Sequence, residues 1–369
     1  MVVKMQRQIS LDIFRGITLA AMLLVNNPGS WSHVYAPLLH AKWNGLTPTD
    51  LIFPFFMFIV GAAMFHSMQR YMPKEGQAGQ IPWLKIAKRT VLMFVIGFSL
   101  NIFPFTEEPE NWRVMGVLQR IALCYAIAAI LICVLNKKQL IVASVLILLG
   151  YWLLLQLAEQ PYDLGTNLVR SIDLTLFGAS HLYQGFGVAF DPEGLVSCLP
   201  GIVTVLVGYF TSAMLAGAPS NSEKIKNLFI WVAVALTISY VWQFWFPVNK
   251  SLWSSTYVLV TSACAWLSLI VIIYLHDVRH IRSGFQWAHL YGSNPLFIYV
   301  ISSLFASTLP LISWANAQGE TVNIHHFIFI YLTQFLSPLN ASLVFALVFV
   351  FIFYLLSAWL FKRSIFIKI

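Results

Sequence analysis

The chain reads as long apolar runs separated by short polar connections. Ten runs reach the length needed to cross a hydrocarbon core of about 30 Å: 9–27, 50–70, 85–104, 114–135, 139–157, 194–215, 226–246, 256–275, 287–313 and 341–361. Their apolar positions are continuous, which suits helices, whereas the strands of a barrel would alternate. A further stretch, 324–336, lies between His325-His326 and Pro338 and is too short for a crossing. It is expected to lie at the interface or to re-enter. The pattern predicts an all-α polytopic membrane bundle, a single domain over 1–369.

Composition agrees. Hydrophobic residues make up 59% of the chain and charged residues 10%, with a mean hydropathy of +0.76. Soluble domains carry about a quarter charged residues, so a soluble globular protein is excluded. The net charge of +8 is unevenly placed. With ten spans both termini share one side, and that side holds all but six of the 22 Lys and Arg, including Lys4, Arg7, Lys74 and Lys368. Lys42, Arg113, Arg170 and Lys250 fall on the opposite side; Arg15 and Arg120 lie within spans. By the positive-inside rule both termini are cytoplasmic. The basic balance is therefore a topology signal and calls for no nucleic-acid partner. Lys4 and Arg7 before an apolar run resemble a signal-peptide start, but no A-x-A-like site follows and Asp12 and Arg15 interrupt the run, so a retained first helix is expected. Cys124, Cys133, Cys198 and Cys264 all sit in apolar spans and are expected to be free thiols; neither they nor the histidines have metal-ligand spacing.

Charge inside hydrocarbon is costly, so ionisable residues within spans are candidates for function. Asp12 and Arg15 lie three apart on one helix face. They can neutralise each other, and the paired Arg still has donors for an anionic ligand. Arg120 has no acid at i±3 or i±4 and must find a partner elsewhere in the bundle or on a ligand. In YGSNPLFIY, Gly292 and Pro295 predict a broken or late-starting helix. Ser293 or Asn294 can cap it, and its free N–H groups can meet an anion. In DPEGLVSCLPG, Asp191 reads as the N-cap of the sixth span, Pro192 as its first residue and Glu193 as a first-turn acid. Capping explains all three; a carboxylate lining a mouth is the alternative.

The stretch LLHAKWNGLTPTDLIFPFF sets titratable groups directly against a wall of apolar residues. Asn26 ends the first span on the outer side. His40 lies in the following loop, Trp43-Asn44-Gly45 makes a turn, Thr47 or Thr49 caps the next span and Asp50 enters it. Histidine is the side chain most easily poised near neutral pH, and a carboxylate beside it would orient the ring. No G-x-S-x-G nucleophile motif accompanies the pair. His40 would thus act itself, as general base or as transient nucleophile; an ordinary surface histidine is the plain alternative.

ISLDIFRGITLAAMLLVNNPG and LLHAKWNGLTPTDLIFPFFMFIVG (9–61), followed by GVLQRIALCYA, DPEGLVSCLPGIVTVLVG and GSNPLFIYV, resemble the heparan-α-glucosaminide N-acetyltransferase family of transmembrane acyltransferases. The resemblance implies transfer of acetyl from cytoplasmic acetyl-CoA to an amino sugar across the membrane. It implies His40 as the catalytic histidine, with Asp50 and Asn26 as its partners. Lysosomal members carry an extra lumenal domain and leading helix; this chain has no such region, which points to the bacterial branch and an inner-membrane location, and away from heparan sulfate as the substrate.

Acetyl-CoA then needs cations near the cytoplasm and a base at the far mouth. Lys88, Arg89, Arg279 and Arg282 are placed for its nucleotide end, with Asp12, Arg15, Arg120, Ser293 and Asn294 deeper. Trp43, Asn44, Asp191 and Glu193 are the expected acceptor contacts, since acidic outer loops attract an ammonium sugar. O-acetylation of an envelope glycan and solute transport are the competing functions. Transport would favour internal repeats and paired broken helices, and no repeat is evident. The lipid bilayer is the other partner, and a homo-oligomer is left open.

Overall fold

The computed structural model describes residues 8–73, 79–315 and 319–367; Lys4, Arg7, Lys74 and Lys368 lie outside them. α1 (Ile9–Asn26) leads into an outer loop that ends in a 3-10 turn, Pro48–Leu51, and continues as α2 (Ile52–Met68). Then come α3 (Trp83–Ile102), α4 (Val117–Val134) and α5 (Lys137–Leu155). A long connection holds the short α6 (Leu168–Phe177), followed by α7 (Cys198–Gly217) and α8 (Asn221–Trp242). α9 (Ser255–Ile272) continues as a π-helical turn to Val278. α10 (Gln286–Tyr291), α11 (Pro295–Thr308), a hairpin of β1 (Ser313–Ala315) and β2 (Thr321–Asn323), α12 (Ile324–Thr333) and α13 (Pro338–Lys362) complete the chain.

The molecule is an all-α membrane bundle. Among the described residues, eight helical segments are long and apolar enough to cross a bilayer. α10 and α11 supply a ninth only as a pair bent by 71°. α3 has the length, but Lys85, Lys88 and Arg89 charge its first two turns. The ten expected spans are therefore eight clear ones, a broken one and a helix with a charged end. α12 is the short stretch and is ten residues long.

Each departure has a local cause. At the bend, Pro295 has no N–H to continue α10, and Asn294 before it takes a non-helical conformation (φ −132°, ψ 54°). The break also lets α10 and α1 touch backbone to backbone, for a Cβ on Gly292 would lie 2.5 Å from the Asp12 carbonyl oxygen. α7 begins at Cys198, so Asp191 is not its N-cap and Glu193 is not in its first turn. Both precede the helix because Arg113 holds their carboxylates, as described below. Neither Ser293 nor Asn294 caps α11 through its side chain; Ser293 Oγ donates to the Leu290 carbonyl.

Within lipid no hydrophobic effect draws helices together, so close packing of small residues must do so. α2 and α7 meet through Gly61 and Gly208. A Cβ on either would stand 1.7 Å from the Val205 oxygen or 1.8 Å from the Phe58 oxygen. Around this contact Met57, Met64, Ile202, Val205 and Leu206 are buried, with Cys124 and Cys198 among them as free thiols. α2 and α7 therefore form a rigid post, and the outer loop ending at Asp50 is anchored on it.

Candidate functional site

Residues 39–50 fold onto their own aspartate. The Asp50 side chain is 1% exposed. Its Oδ2 accepts from the backbone N–H of Ala41 at 3.1 Å, the N–H of Thr47 at 2.9 Å and the Thr47 hydroxyl at 2.9 Å. The bond from the Thr47 N–H is half of a capping box at the start of the 3-10 turn, whose other half runs from the Asp50 N–H to the Thr47 side chain. Its Oδ1 lies 2.7 Å from His40 Nδ1. An ionised carboxylate only accepts, so Nδ1 carries the proton and Nε2 is left as the basic nitrogen. The His40 side chain is 51% exposed, open to a substrate. From below, the Tyr257 hydroxyl donates to the Asp50 carbonyl oxygen.

A second loop braces the first. Asn44 and Asn249 form an antiparallel bridge: Asn249 Nδ2 donates to Asn44 Oδ1 at 3.0 Å, and Gly45 N–H donates to the Val248 oxygen at 2.8 Å. Gly45 takes φ +113°, open to glycine and strained for other residues. Trp43 is half-buried against Phe186 and Phe190, and its Nε1 donates to the Tyr162 oxygen. The bridge brings Lys250 to the histidine, with Nζ 3.0 Å from His40 Nδ1, 3.2 Å from Nε2 and 3.7 Å from Asp50 Oδ1. Burial lowers the Lys250 pKa, while Glu193 and then Asp50 oppose that fall.

Beside this lies an acid–base cluster. Arg113 Nε and Nη2 donate to the two Asp191 oxygens at 2.8 Å each, and Nη2 donates to Glu193 at 2.6 Å. Burial pulls the Arg113 pKa down, but hydrogen bonding to Asp191 and the Glu193 charge more than offset it, and the net shift is upward. Arg120 is fully buried. Its Nη2 donates to Ser197 and to the Gly194 oxygen, its guanidinium lies 4.8 Å from the Trp253 ring, and Nε and Nη1 have no hydrogen-bond partner. Asp173, on α6, is pushed up to about 7, first by burial and then by Asp191; Leu195 N–H donates to its Oδ1, and its Oδ2 has no partner.

At the other end of α1, Arg15 pairs with Asp12 at 3.2 Å and donates to the Gly292 oxygen. Arg15 precedes Asn26 by eleven residues, about 16 Å along the helix. Arg15, Arg89, His289 and Ser293 line a cavity of about 740 Å³ whose walls are otherwise mostly apolar, among them Met22, Phe56, Ile121 and Tyr299. Arg89 Nε is buried with no hydrogen-bond partner among the described residues, and its guanidinium lies 4.6 Å from the centre of the Tyr125 ring. Phe366 and Ile367 also line the cavity. Their segment is tied to the bend, because Asn294 Nδ2 donates to the Ile365 oxygen and Asn294 Oδ1 accepts from Ile367 N–H.

Not every expected residue joins a site. His40 and Asp50 meet; Asn26 is exposed at the end of α1 and hydrogen-bonds to neither. Lys88, Arg279 and Arg282 are exposed and, like Asp12, Asn294 and Arg120, are not among the residues lining the cavity. Residues of the His40 site do not line it either. Lys250, Arg113 and Asn249 had no part in the site expected from sequence. One available signal was that Lys250 and Arg113 are two of the four cations that the charge pattern sets apart on the minority side.

Residues 7–239 match the family described as heparan-alpha-glucosaminide N-acetyltransferase, catalytic. The chain belongs to this N-acetyltransferase family. It is 30% identical over 377 residues to heparan-alpha-glucosaminide N-acetyltransferase of Homo sapiens, covering 86% of this chain and 55% of that protein. It is 28% identical over 376 residues to the enzyme of the same name from Mus musculus, covering 85% and 56%. The chain thus spans about half the length of these N-acetyltransferases. The matched family region contains His40, Asp50, Arg113, Arg120, Asp191 and Glu193 and stops before Lys250.

Proposed function

We propose that this integral membrane protein is an acetyl-CoA-dependent N-acetyltransferase that acts on an amino sugar on the far side of the membrane from its donor. One observation carries the reading: an exposed histidine, oriented by a buried carboxylate at 2.7 Å, stands at one end of a bundle whose other end has a cation-lined cavity. Such an arrangement suits a donor and an acceptor that meet from opposite sides. The cavity volume is that of a small-molecule site. Arg15 and Arg89 are suited to phosphates, and the apolar wall to a pantetheine arm. The cavity ends short of His40, so turnover on this reading includes an opening of the layer around Tyr299.

In the reaction His40 Nε2 takes a proton from the acceptor amine as its nitrogen attacks the thioester carbonyl. Asp50 holds the ring and balances the imidazolium. Trp43 and Asn44 border the acceptor; Asp191 and Glu193 are both committed to Arg113. The donor enters from the cytoplasm, where both termini lie, in the inner membrane of a bacterium. The test is purified protein in nanodiscs with acetyl-CoA and a panel of amino and hydroxyl sugars, read by CoA release and product mass. N-acetylated product is expected. His40→Ala that folds and turns over normally refutes the assignment.

A further inference from the structure

We propose that Lys250 is a second catalytic residue of this site, donating a hydrogen bond to the oxyanion that forms on the thioester carbonyl. The proposal rests on the acetyltransferase reading above and adds a group to it. The observation behind it is the pairing of charges around His40. Asp50 already accepts at both oxygens, from His40, Ala41 and Thr47. Lys250 stands 3.7 Å from it, beyond a short ion-pair bond. Arg113 is saturated by two carboxylates at 2.6–2.8 Å, Arg120 is fully buried, and Lys42 is an exposed surface residue. Among the described residues of this site, Lys250 is the cation nearest the His40 ring, and its contact with Asp50 is longer than those of Arg113 with its two acids.

Its position is built. Asn249 is fully buried and makes three hydrogen bonds through its own groups: its N–H to Ser254 Oγ, its Oδ1 from Leu252 N–H, and its Nδ2 to Asn44. The next residue is thereby fixed against the His40 loop. A lysine in that place costs something, since burial penalises its charge and its pKa is lowered. A lowered pKa also makes its N–H a stronger donor. In the resting site the ammonium lies against the imidazole, 3.0 Å from Nδ1 and 3.2 Å from Nε2. An incoming amine takes the Nε2 lone pair, and an attacked carbonyl next to Nε2 stays within reach of the flexible lysine stem.

The step balances. The amine nitrogen gives up one proton to Nε2 and forms the N–C bond, and the carbonyl π pair moves onto oxygen, where Lys250 meets it. Collapse restores the carbonyl and breaks C–S. The bonding pair leaves on sulfur, which takes the proton from His40 to give the thiol of CoA, and the amide is released.

The experiment compares Lys250→Met and Lys250→Cys with wild type and His40→Ala in nanodiscs. Lys250→Met is expected to lower kcat about 100-fold or more, the usual loss for one oxyanion donor. The KM for acetyl-CoA should stay within about threefold, because the interaction forms only in the transition state. Lys250→Cys is then alkylated with bromoethylamine, which rebuilds a lysine-like ammonium, or with iodoacetamide, which does not; wild type treated in parallel controls for Cys264. Recovery of at least about tenfold with the first reagent alone supports the proposal. Equal recovery with both, or a kcat for Lys250→Met within threefold of wild type, overturns it. Wild-type protein that releases no CoA overturns the acetyltransferase reading, a failure distinct from loss of the lysine's role alone.

Discussion

The two ends of the bundle solve opposite problems. In the loops that touch His40 the polar atoms are paired before any substrate arrives: Asp50 uses both oxygens, Arg113 is gripped by two acids, and Asn249 locks the bracing loop, while the unpartnered atoms of Arg120 and Asp173 belong to the neighbouring cluster. Around the cavity at the Arg15 end the walls are apolar, and Arg89 keeps a buried nitrogen with no hydrogen-bond partner among the described residues. A site that directs bond making gains from groups fixed in advance, whereas a site that receives a long, mostly apolar arm needs space and a few unspent donors. The contrast fits the proposed function, with reaction at one end and holding at the other.

That assignment can be broken most sharply at His40. His40→Ala should cost about 10²- to 10⁴-fold in kcat while leaving donor binding intact; calorimetry with acetyl-CoA beside the rate assay would separate the two. The next largest effect is expected in the shared post. Gly208→Leu drives a side chain into the Phe58 backbone, so detergent-purified variant should lose its cooperative melting transition, and an unchanged transition would mean that α2 and α7 do not pack as described.

Arg89→Gln tests the holding end. It should raise the KM for acetyl-CoA roughly tenfold with little change in kcat, as befits loss of one charge-assisted contact. A kcat effect without a KM effect would move Arg89 out of the binding role.

The smallest expected signal is a pH slope. Asp173 titrates at about 7 in the fold against an ordinary 3.8, raised chiefly by burial. The folded state therefore keeps a proton that the unfolded state releases. The stabilisation is complete below about 3.8 and is lost as pH rises through about 7. Melting midpoints of wild type should fall across this window, and those of Asp173→Asn should be flatter by comparison.

How much of this was legible follows from where partners lie in the chain. His40 and Asp50 are ten residues apart across one turn, and local rules fix both: Thr47-Pro48 starts a helix, and an acid at its third position turns back on the loop. Arg15 with Asp12 was legible for the same reason. Lys250 was not, because 210 residues separate it from His40 and only the Asn44–Asn249 bridge sets their register. Asp191-Pro192-Glu193 misled because its pattern is that of a helix start; a guanidinium 78 residues away claims Asp191, and α7 starts later. The minority charges were the better guide. Of the four cations on the minority side of the charge pattern, Arg113, Arg170 and Lys250 each have a defined partner, while Lys42 is exposed.

The amide of Asn294 grips the segment at Ile365–Ile367 from both sides and sets Phe366 in the wall of the Arg15 cavity. On the proposed function a guest in this cavity touches the segment, so a small dye on Phe366→Cys would act as a sensor whose emission changes when the cavity fills.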